Sequence, residues 1–510
     1  MVKTSLSNLV RVQQRVLDRW SLGVVVLCTL VLGPVVAVLL AATGDSGGLW
    51  SHLFNTVLGR YVSNTLILMA GVGALAVCFG VSSAWVISRY RFPGRNVLEW
   101  MLLLPAAIPA YIIAYSYTEF FEFAGPMQTG LRALFGWQTP HDYWFPEIRS
   151  LGGAVLVMAS VLYPYVYMVT RIAFRLTPSS LFEIALVHNR SQFWHVGLPL
   201  ARPAIMAGLA LVMMEVMSDF GTVEFFAVET ITLGIFNVWL GMNNLAAAAQ
   251  IALVGFGFII LLLVLELYAR SRQQYVATSR AQTPLAPLMP RRLGVVACWV
   301  VCITPLVFGF FIPVGVLIGL VASSNPLADF MQIRGIIGNT LLVACLAAVS
   351  IMLISAFIVL TATFRSGPKI RKLALLASTG YAFPGTILAI GVLGFTGYLD
   401  RFISGILGPE AQGVFIASIG VLFLAYLVRF QAVGYGAMIS GVRRLPANVM
   451  NASRVLGKGY LASLRTVILP LLQSSFLAGI MLVFVDVMKE LPMTLLLRPS
   501  AAAAVQQQHG

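Results

Sequence analysis

Long apolar runs alternate with short polar connections along this chain, and the length of the runs matches the thickness of a lipid bilayer. A helix needs roughly 20 apolar residues to cross the hydrocarbon core. Runs of that length fall near residues 20 to 42, 62 to 88, 97 to 121, 151 to 173, 200 to 220 and 246 to 269, and again near 293 to 322, 336 to 362, 373 to 397, 412 to 436 and 471 to 491. The pattern predicts an all-α, polytopic membrane protein with eleven spans, six in the first half and five in the second. Pro105, Pro109 and Pro384 fall inside or beside apolar runs and are predicted to kink their helices.

The pattern also repeats. Asn64-Thr65-Leu66 is answered 275 residues later by Asn339-Thr340-Leu341, and Ile108-Pro109-Ala110 by Phe383-Pro384-Gly385. Corresponding spans lie six apart, an even number, so the two repeats cross the membrane in the same direction and are related by an axis along its normal. The polar, basic, proline-bearing stretch 270–292 reads as a cytoplasmic linker between a first repeat over 1–269 and a second over 293–499, with an atypical tail over 500–510.

Composition agrees with lipid as the solvent: 59% of the 510 residues are hydrophobic and only 10% are charged. The net charge of +15 is concentrated on alternate connections. Lys3, Arg11, Arg15 and Arg19 precede the first span, Arg89, Arg91 and Arg95 follow the second, Arg270, Arg272, Arg280, Arg291 and Arg292 mark the linker, and Arg365, Lys369, Arg371 and Lys372 follow the eighth. Basic short loops face the cytoplasm, so the N-terminus is expected inside. The intervening connections carry Glu119, Glu122, Asp142, Glu147, Asp400 and Glu410 and are expected outside. Charge at membrane edges removes the need for a nucleic-acid partner. The start of the chain lacks the pattern of a removable signal peptide, and its first span is expected to stay as an anchor. Cys28, Cys78, Cys298, Cys302 and Cys345 lie in apolar runs without His or acid companions and read as small buried hydrophobes. His141, His188 and His195 have no metal-ligand spacing.

Two connections on the predicted cytoplasmic side match each other. RLTPSSLFEIALVHNRSQFWHVGLPLARPAI follows the fourth span and VRRLPANVMNASRVLGKGYLASLRTVILPLLQSSF the tenth. In each, a proline (Pro178, Pro446) is expected to start a short helix, Glu183 or Asn451 follows five residues later, and Leu198-Pro199 or Leu469-Pro470 leads into the next span. A polar amphipathic helix in the same place in both repeats suggests a surface for a partner that comes in two copies; a solvated helix lying on the headgroups is the alternative.

These residues resemble the permeases of type I ABC importers, whose cytoplasmic loop reads Glu-Ala-Ala, a glycine after three more residues, then Ile-x-Leu-Pro. Gly457 stands thirteen residues before Pro470 and Val467 fills the isoleucine place, which is the family spacing. The strings DYWFPEIRSLGGAVLVMASVLYPYVYMVTR, MSDFGTVEFF and DVMKELPMTLLLRP look like the fused two-repeat permeases assigned to ferric iron import, over about residues 20 to 499. The resemblance implies that each loop forms a coupling helix docking in a cytoplasmic ATPase subunit. Glu183, Ala185, Asn189, Leu198 and Pro199 would serve in the first loop, and Asn451, Ala452, Gly457, Leu469 and Pro470 in the second. The sequence has no G-x-x-x-x-G-K-[ST] phosphate cradle, so ATP is expected on the partner and no cofactor on this chain.

The chain departs from the family pattern in three places. The first loop is about three residues short between Asn189, at the glycine place, and Phe193, which suggests one missing turn of the coupling helix. The second has Asn451-Ala452-Ser453 in place of Glu-Ala-Ala. After Pro499 the chain ends in SAAAAVQQQHG where the family has an outer loop and a twelfth span, so a natural variant, a degenerate end and a sequence artefact are all open readings.

Beyond the Leu-Pro pairs, Glu215 aligns with Asp486 and Asp219 with Glu490, placing acids near the outer ends of equivalent spans. Intramembrane carboxylates normally face protein or water, and oxygen ligands suit trivalent iron. Direct contact with substrate and structural pairing or gating are both open, with Lys489 a neighbouring counter-charge for Glu490. Tyr111, Tyr115, Tyr117, Trp137, Tyr143 and Trp144 fit an interfacial aromatic belt or a docking surface. The expected function is the membrane-spanning subunit of a bacterial inner-membrane importer, taking ferric iron from a periplasmic solute-binding protein and driven by two copies of an ATPase subunit. Thiamine, polyamines, sulfate and phosphonates are the alternative solutes, and a secondary transporter with parallel repeats is the alternative class.

Overall fold

In lipid each backbone N–H and C=O has to be satisfied within its own segment, and the apolar runs are accordingly helical. The computed structural model describes residues 18–271, 287–323, 326–378, 380, 383–408, 418–446 and 448–497. Lys3, Arg11, Arg15, most of the 270–292 linker, Glu410 and the 500–510 tail lie outside the described residues. The principal helices are α1 (Arg19–Ala41), α2 (Leu58–Arg89), α3 (Ala110–Phe121), α4 (Leu151–Leu176), α5 (Ser179–Val187), α6 (Leu198–Ser218), α7 (Leu245–Ser271), α8 (Arg292–Leu306), α9 (Ile312–Ser323), α10 (Pro326–Phe364), α11 (Pro368–Ala377), α12 (Gly385–Leu407), α13 (Ile419–Val442), α14 (Val449–Val455), α15 (Leu469–Lys489) and α16 (Pro492–Leu497). Among the described residues nine helices are long and apolar enough to cross a membrane, α8 and α9 forming one of them, and a bent pair brings the number to ten.

That bent pair covers the third predicted span, 97–121, with the break at the prolines expected to kink it: segments Arg95–Ala107 and Ala110–Phe135 meet at 94°. Pro109 holds Ile108 in an extended conformation, φ −97° and ψ 129°, as a residue before proline prefers, and α3 begins just after it. Pro384 is the N-cap of α12, and the run predicted at 373–397 is split into α11 and α12. The tenth helix lies at 419–442, not 412–436, with Ser418 capping its start through the Gly420 N–H at 3.2 Å.

The helices pack into two compact units, residues 46–331 and residues 1–45 with 332–510. In the first, small residues let helices approach closely, the usual device where lipid supplies no hydrophobic drive between them. A Cβ on Gly80 of α2 would lie 2.8 Å from Val166 Cβ and 2.9 Å from Tyr167 N of α4, and one on Gly208 of α6 would lie 2.8 Å from Val166 Cα. Tyr163, Tyr167 and Phe174 of α4 are fully buried. The α8–α9 helix completes this unit: Tyr117 donates to the Phe308 carbonyl at 2.8 Å, and a Cβ on Gly309 would meet the Ser160 carbonyl oxygen at 2.3 Å.

In the second unit α1 packs along α12. Gly391 passes so close to α1 that a Cβ there would lie 2.2 Å from the Pro34 carbonyl oxygen. Trp20 stacks on Phe357 at 5.8 Å and meets Tyr460 edge-on at 5.4 Å. Ser21 and Ser366 hydroxyls pair at 2.9 Å, and Asp18 forms an ion pair with Arg365. Each unit therefore takes one span from the other linear half: the first span lies with the second repeat, and the seventh with the first.

Candidate functional site

The two matching loops are built alike. The first contains α5 and the second α14, and each helix ends in the same cap. In the first, Asn189 donates to the Leu186 carbonyl at 3.0 Å and Arg190 to Ala185 at 2.8 Å; in the second, Gly457 donates to Arg454 at 3.0 Å and Lys458 to Ser453 at 3.2 Å. This is a Schellman motif, whose turn residue must be left-handed. Asn189 has φ +51° and Gly457 φ +81°, so the asparagine at the glycine place does the glycine's conformational work, as asparagine is able to.

The same faces are buried in both loops. Phe182 and Ala185 are buried in α5, and Met450 and Ser453 occupy the equivalent positions in α14 and are buried too. Glu183 and, in the second loop, Asn451 and Ala452 are exposed. At one matching position each loop presents an aliphatic side chain outward: Val187 is 84% exposed and Val455 87%. Leu186 and Leu456 extend these patches.

Each loop is anchored to the end of a long helix in its own unit. In the first, Trp85 packs against Phe182 and Phe193, while Gln192 donates to the Phe182 carbonyl and accepts from Arg89, both at 3.0 Å. In the second, Arg454 donates to the Phe364 carbonyl at 3.3 Å and Ser453 to Ser463 at 2.8 Å. The Leu-Pro pairs follow a common rule. Pro199 and Pro470 lack an N–H, and the preceding Leu198 and Leu469 donate five residues back, to Phe193 and Leu464, leaving a π-turn at each helix start.

Two expectations are corrected here. The three residues absent from the first loop do not shorten its coupling helix, because α5 has nine residues and α14 seven. By register they are Gly459, Tyr460 and Leu461, at the start of the turn Tyr460–Ser463 that leads into the second π-turn. Nor do the prolines occupy the first helical position: Pro178 is the N-cap of α5, and Asn448, two residues after Pro446, caps α14.

The acids at the ends of α6 and α15 also act alike. Asp219 accepts from the Thr222 N–H at 2.9 Å, the Thr222 hydroxyl at 3.0 Å and the Val223 N–H at 3.3 Å. Glu490 accepts from the Met493 N–H at 3.2 Å. Each thereby caps the short helix beyond it, Gly221–Phe225 or Pro492–Leu497. Glu490 is buried and carries a second partner that the sequence reading missed, Arg429 of α13, with Nε 3.1 Å from Oε2. Gly385 borders this pair, since a Cβ there would lie 2.6 Å from Arg429 Nη1 and 2.6 Å from Glu490 Oε1. An arginine alone in a long apolar run was the available signal, because such a charge needs a partner inside the protein. Glu215, Asp486 and Lys489 are half-buried. No three His, Cys, Asp or Glu residues gather closely enough to hold a metal among the described residues.

On the connection after α3, Trp137 stacks on Phe135 and Tyr143 at 4.7 and 4.8 Å. Asp142 accepts from the Thr139 and Gln138 N–H groups, which hold its carboxyl below the usual range.

Residues 76–276 match the family described as "Binding-protein-dependent transport system inner membrane component". Over 461 residues, 87% of this chain and 82% of the relative, the sequence is 24% identical to the Fe(3+)-transport system permease protein FbpB 2 of Haemophilus influenzae. It is 29% identical over 226 residues, 43% of this chain and 78% of the relative, to a probable molybdenum ABC transporter permease protein of Haloferax volcanii. It is also 29% identical over 205 residues, 39% of this chain and 70% of the relative, to the sulfate transport system permease protein CysT of Escherichia coli.

Proposed function

We propose that this chain, of which residues 76–276 match the binding-protein-dependent transport inner membrane component family, is a permease of a type I ABC importer and the translocating subunit for ferric iron in the bacterial inner membrane. A periplasmic binding protein delivers the solute, and two copies of a separate cytoplasmic ATPase subunit drive the cycle. The pairing of the loops carries this reading: one capped helix in each unit, anchored to a long helix and presenting Val187 or Val455 outward. Two equivalent knobs call for two equivalent sockets. The loops then face the cytoplasm, which agrees with basic residues at their edges and puts the N-terminus inside. Iron as the solute is supported by the relative aligned along most of the chain, while the molybdenum and sulfate permeases align over less than half of it.

Within this reading the acids Asp219 and Glu490 hold the helix turns at the outer ends of α6 and α15, and Glu215 and Asp486 are the candidates to meet solute one turn away. The decisive experiment is copurification of the ATPase with Val187→Asp and Val455→Asp chains, alone and together. Each single change should weaken association and the double change abolish it, with membrane insertion intact; full association of the double variant overturns the coupling role. Uptake of labelled ferric iron, with molybdate and sulfate as competitors, tests the solute separately, and loss of iron uptake to molybdate or sulfate reassigns it.

A further inference from the structure

The α8–α9 helix carries a groove that transport leaves unused. Val296, Trp299, Val300, Ile303, Thr304 and Val307 line about 360 Å³, a volume within the range of small-molecule sites. Their spacing of three and four puts them on one helix face. The Thr304 hydroxyl donates to the Val300 carbonyl at 2.8 Å, which leaves the face apolar. From Val296 to Phe308, the far end of the groove, the helix rises about 18 Å, close to the roughly 15 Å of hydrocarbon in one leaflet.

One end of this groove is basic. Arg292 stands one turn before Val296 on the same stripe, and both Arg291 and Arg292 are exposed. A single β-bridge fixes this segment against the end of α2: Leu288 donates to the Arg89 carbonyl at 2.8 Å, and Arg91 donates to the Leu288 carbonyl at 2.9 Å. Exposed Arg91 is thereby held beside Leu288, three residues before Arg291. Gly94 closes the approach, since a Cβ there would lie 2.9 Å from the Trp299 ring. The other half of the α8–α9 helix has its own groove of about 510 Å³, along Phe311, Gly315, Val316 and Gly319, but it is bordered by Glu119. The two grooves have opposite charge at their borders.

We propose that the 296–308 groove holds an acyl chain of an anionic phospholipid whose phosphate rests on Arg291, Arg292 and Arg91. Charge complementarity selects the occupant: the arginines favour an anionic headgroup at this end, and Glu119 disfavours one at the other.

The test is native mass spectrometry of the full-length chain exchanged into micelles containing phosphatidylglycerol or phosphatidylcholine. Phosphatidylglycerol should be retained in preference, and the Arg291→Gln/Arg292→Gln chain should lose roughly thirty-fold in retention, the effect of two basic residues at an anionic surface. Val300→Trp, which fills the groove without touching the arginines, should also reduce retention. Equal retention of the two lipids, or undiminished retention in either variant, overturns the assignment. So does binding that appears only after residues 272–286 are deleted, which would give the groove to that segment. A second measurement avoids altering the groove's packing volume by much: phosphatidylglycerol with brominated chains should quench tryptophan fluorescence less in Trp299→Phe than in the parent, and identical quenching refutes the site.

Discussion

Gly457 offers a test in which conformation and bulk predict opposite rankings. It closes α14 with φ +81°, and nothing lies within 4 Å of the place a Cβ would occupy. A side chain there meets no clash, and its whole cost is the backbone's. An ordinary L-residue in the left-handed region costs about 1–2 kcal/mol, which asparagine largely escapes. The first loop already shows asparagine in this role, at Asn189 with φ +51°. Gly457→Ala should therefore lower the fraction of loops holding the capped shape by a factor of roughly 5–30, and with it the apparent affinity for the ATPase partner, since the cap positions exposed Val455 and Leu456. Gly457→Asn should bind nearly as the parent does, although asparagine is larger. The assay is a titration of detergent-purified permease with ATPase subunit. An alanine variant that binds like the parent while the asparagine variant fails would refute the reasoning and leave size in control.

Four further outcomes follow from the same structure. Arg429→Leu and Glu490→Leu should each destabilise the protein by about 3–5 kcal/mol by removing one member of a buried ion pair, and the double change should restore much of the loss; melting in detergent reads all three. Asp219→Asn should be nearly neutral for stability and Asp219→Ala should cost about 1 kcal/mol, because asparagine caps as well as aspartate and alanine does not; a large effect of Asn on uptake with stability intact would instead make the charge functional. Gly391→Ala should lower the melting temperature through an overpacking cost of about 1–3 kcal/mol, since its Cβ would meet the Pro34 carbonyl oxygen at 2.2 Å. Asp142 has a folded pKa held below its ordinary 3.8, so its support for the connection after α3 is full above that pH and is lost as pH falls through the depressed value; tryptophan emission from Trp137 and Trp144 should change there in the parent and not in Asp142→Ala.

Much of this was legible in the sequence, for reasons that differ by feature. Apolar length located the spans because the bilayer sets it, and the doubled Leu-Pro pairs located the loops because a proline inside a helix leaves a local mark. Pro109 and Pro384 signalled a break, but the 94° angle depends on packing around it and was invisible. Lys489 was legible as a neighbouring counter-charge for Glu490, but not Arg429, which α13 brings from 61 positions earlier. Membership of α1 in the second unit left no trace at all, since a side chain facing lipid and one facing a neighbouring helix are equally apolar. The three-residue gap was counted and placed correctly, between Asn189 and Phe193, but its reading as a missing turn of the helix was wrong, because the Asn189 cap keeps the same shape as the Gly457 cap without sharing its residue.

The placement of α1 has a consequence in time. Ser21 pairs with Ser366, 345 residues further along the chain, and a ribosome adding 5–20 residues per second needs roughly 20 to 70 s to cover that distance. During that interval the first helix is in the membrane without the neighbours it is shaped for, with Gly23 and Gly33 not yet covered by Phe357 and Phe395. The unit over 46–331 is complete in sequence once α9 has been made, well before α12 and α13 exist. The unit over 46–331 can thus assemble before α1, which precedes it in the chain, is housed.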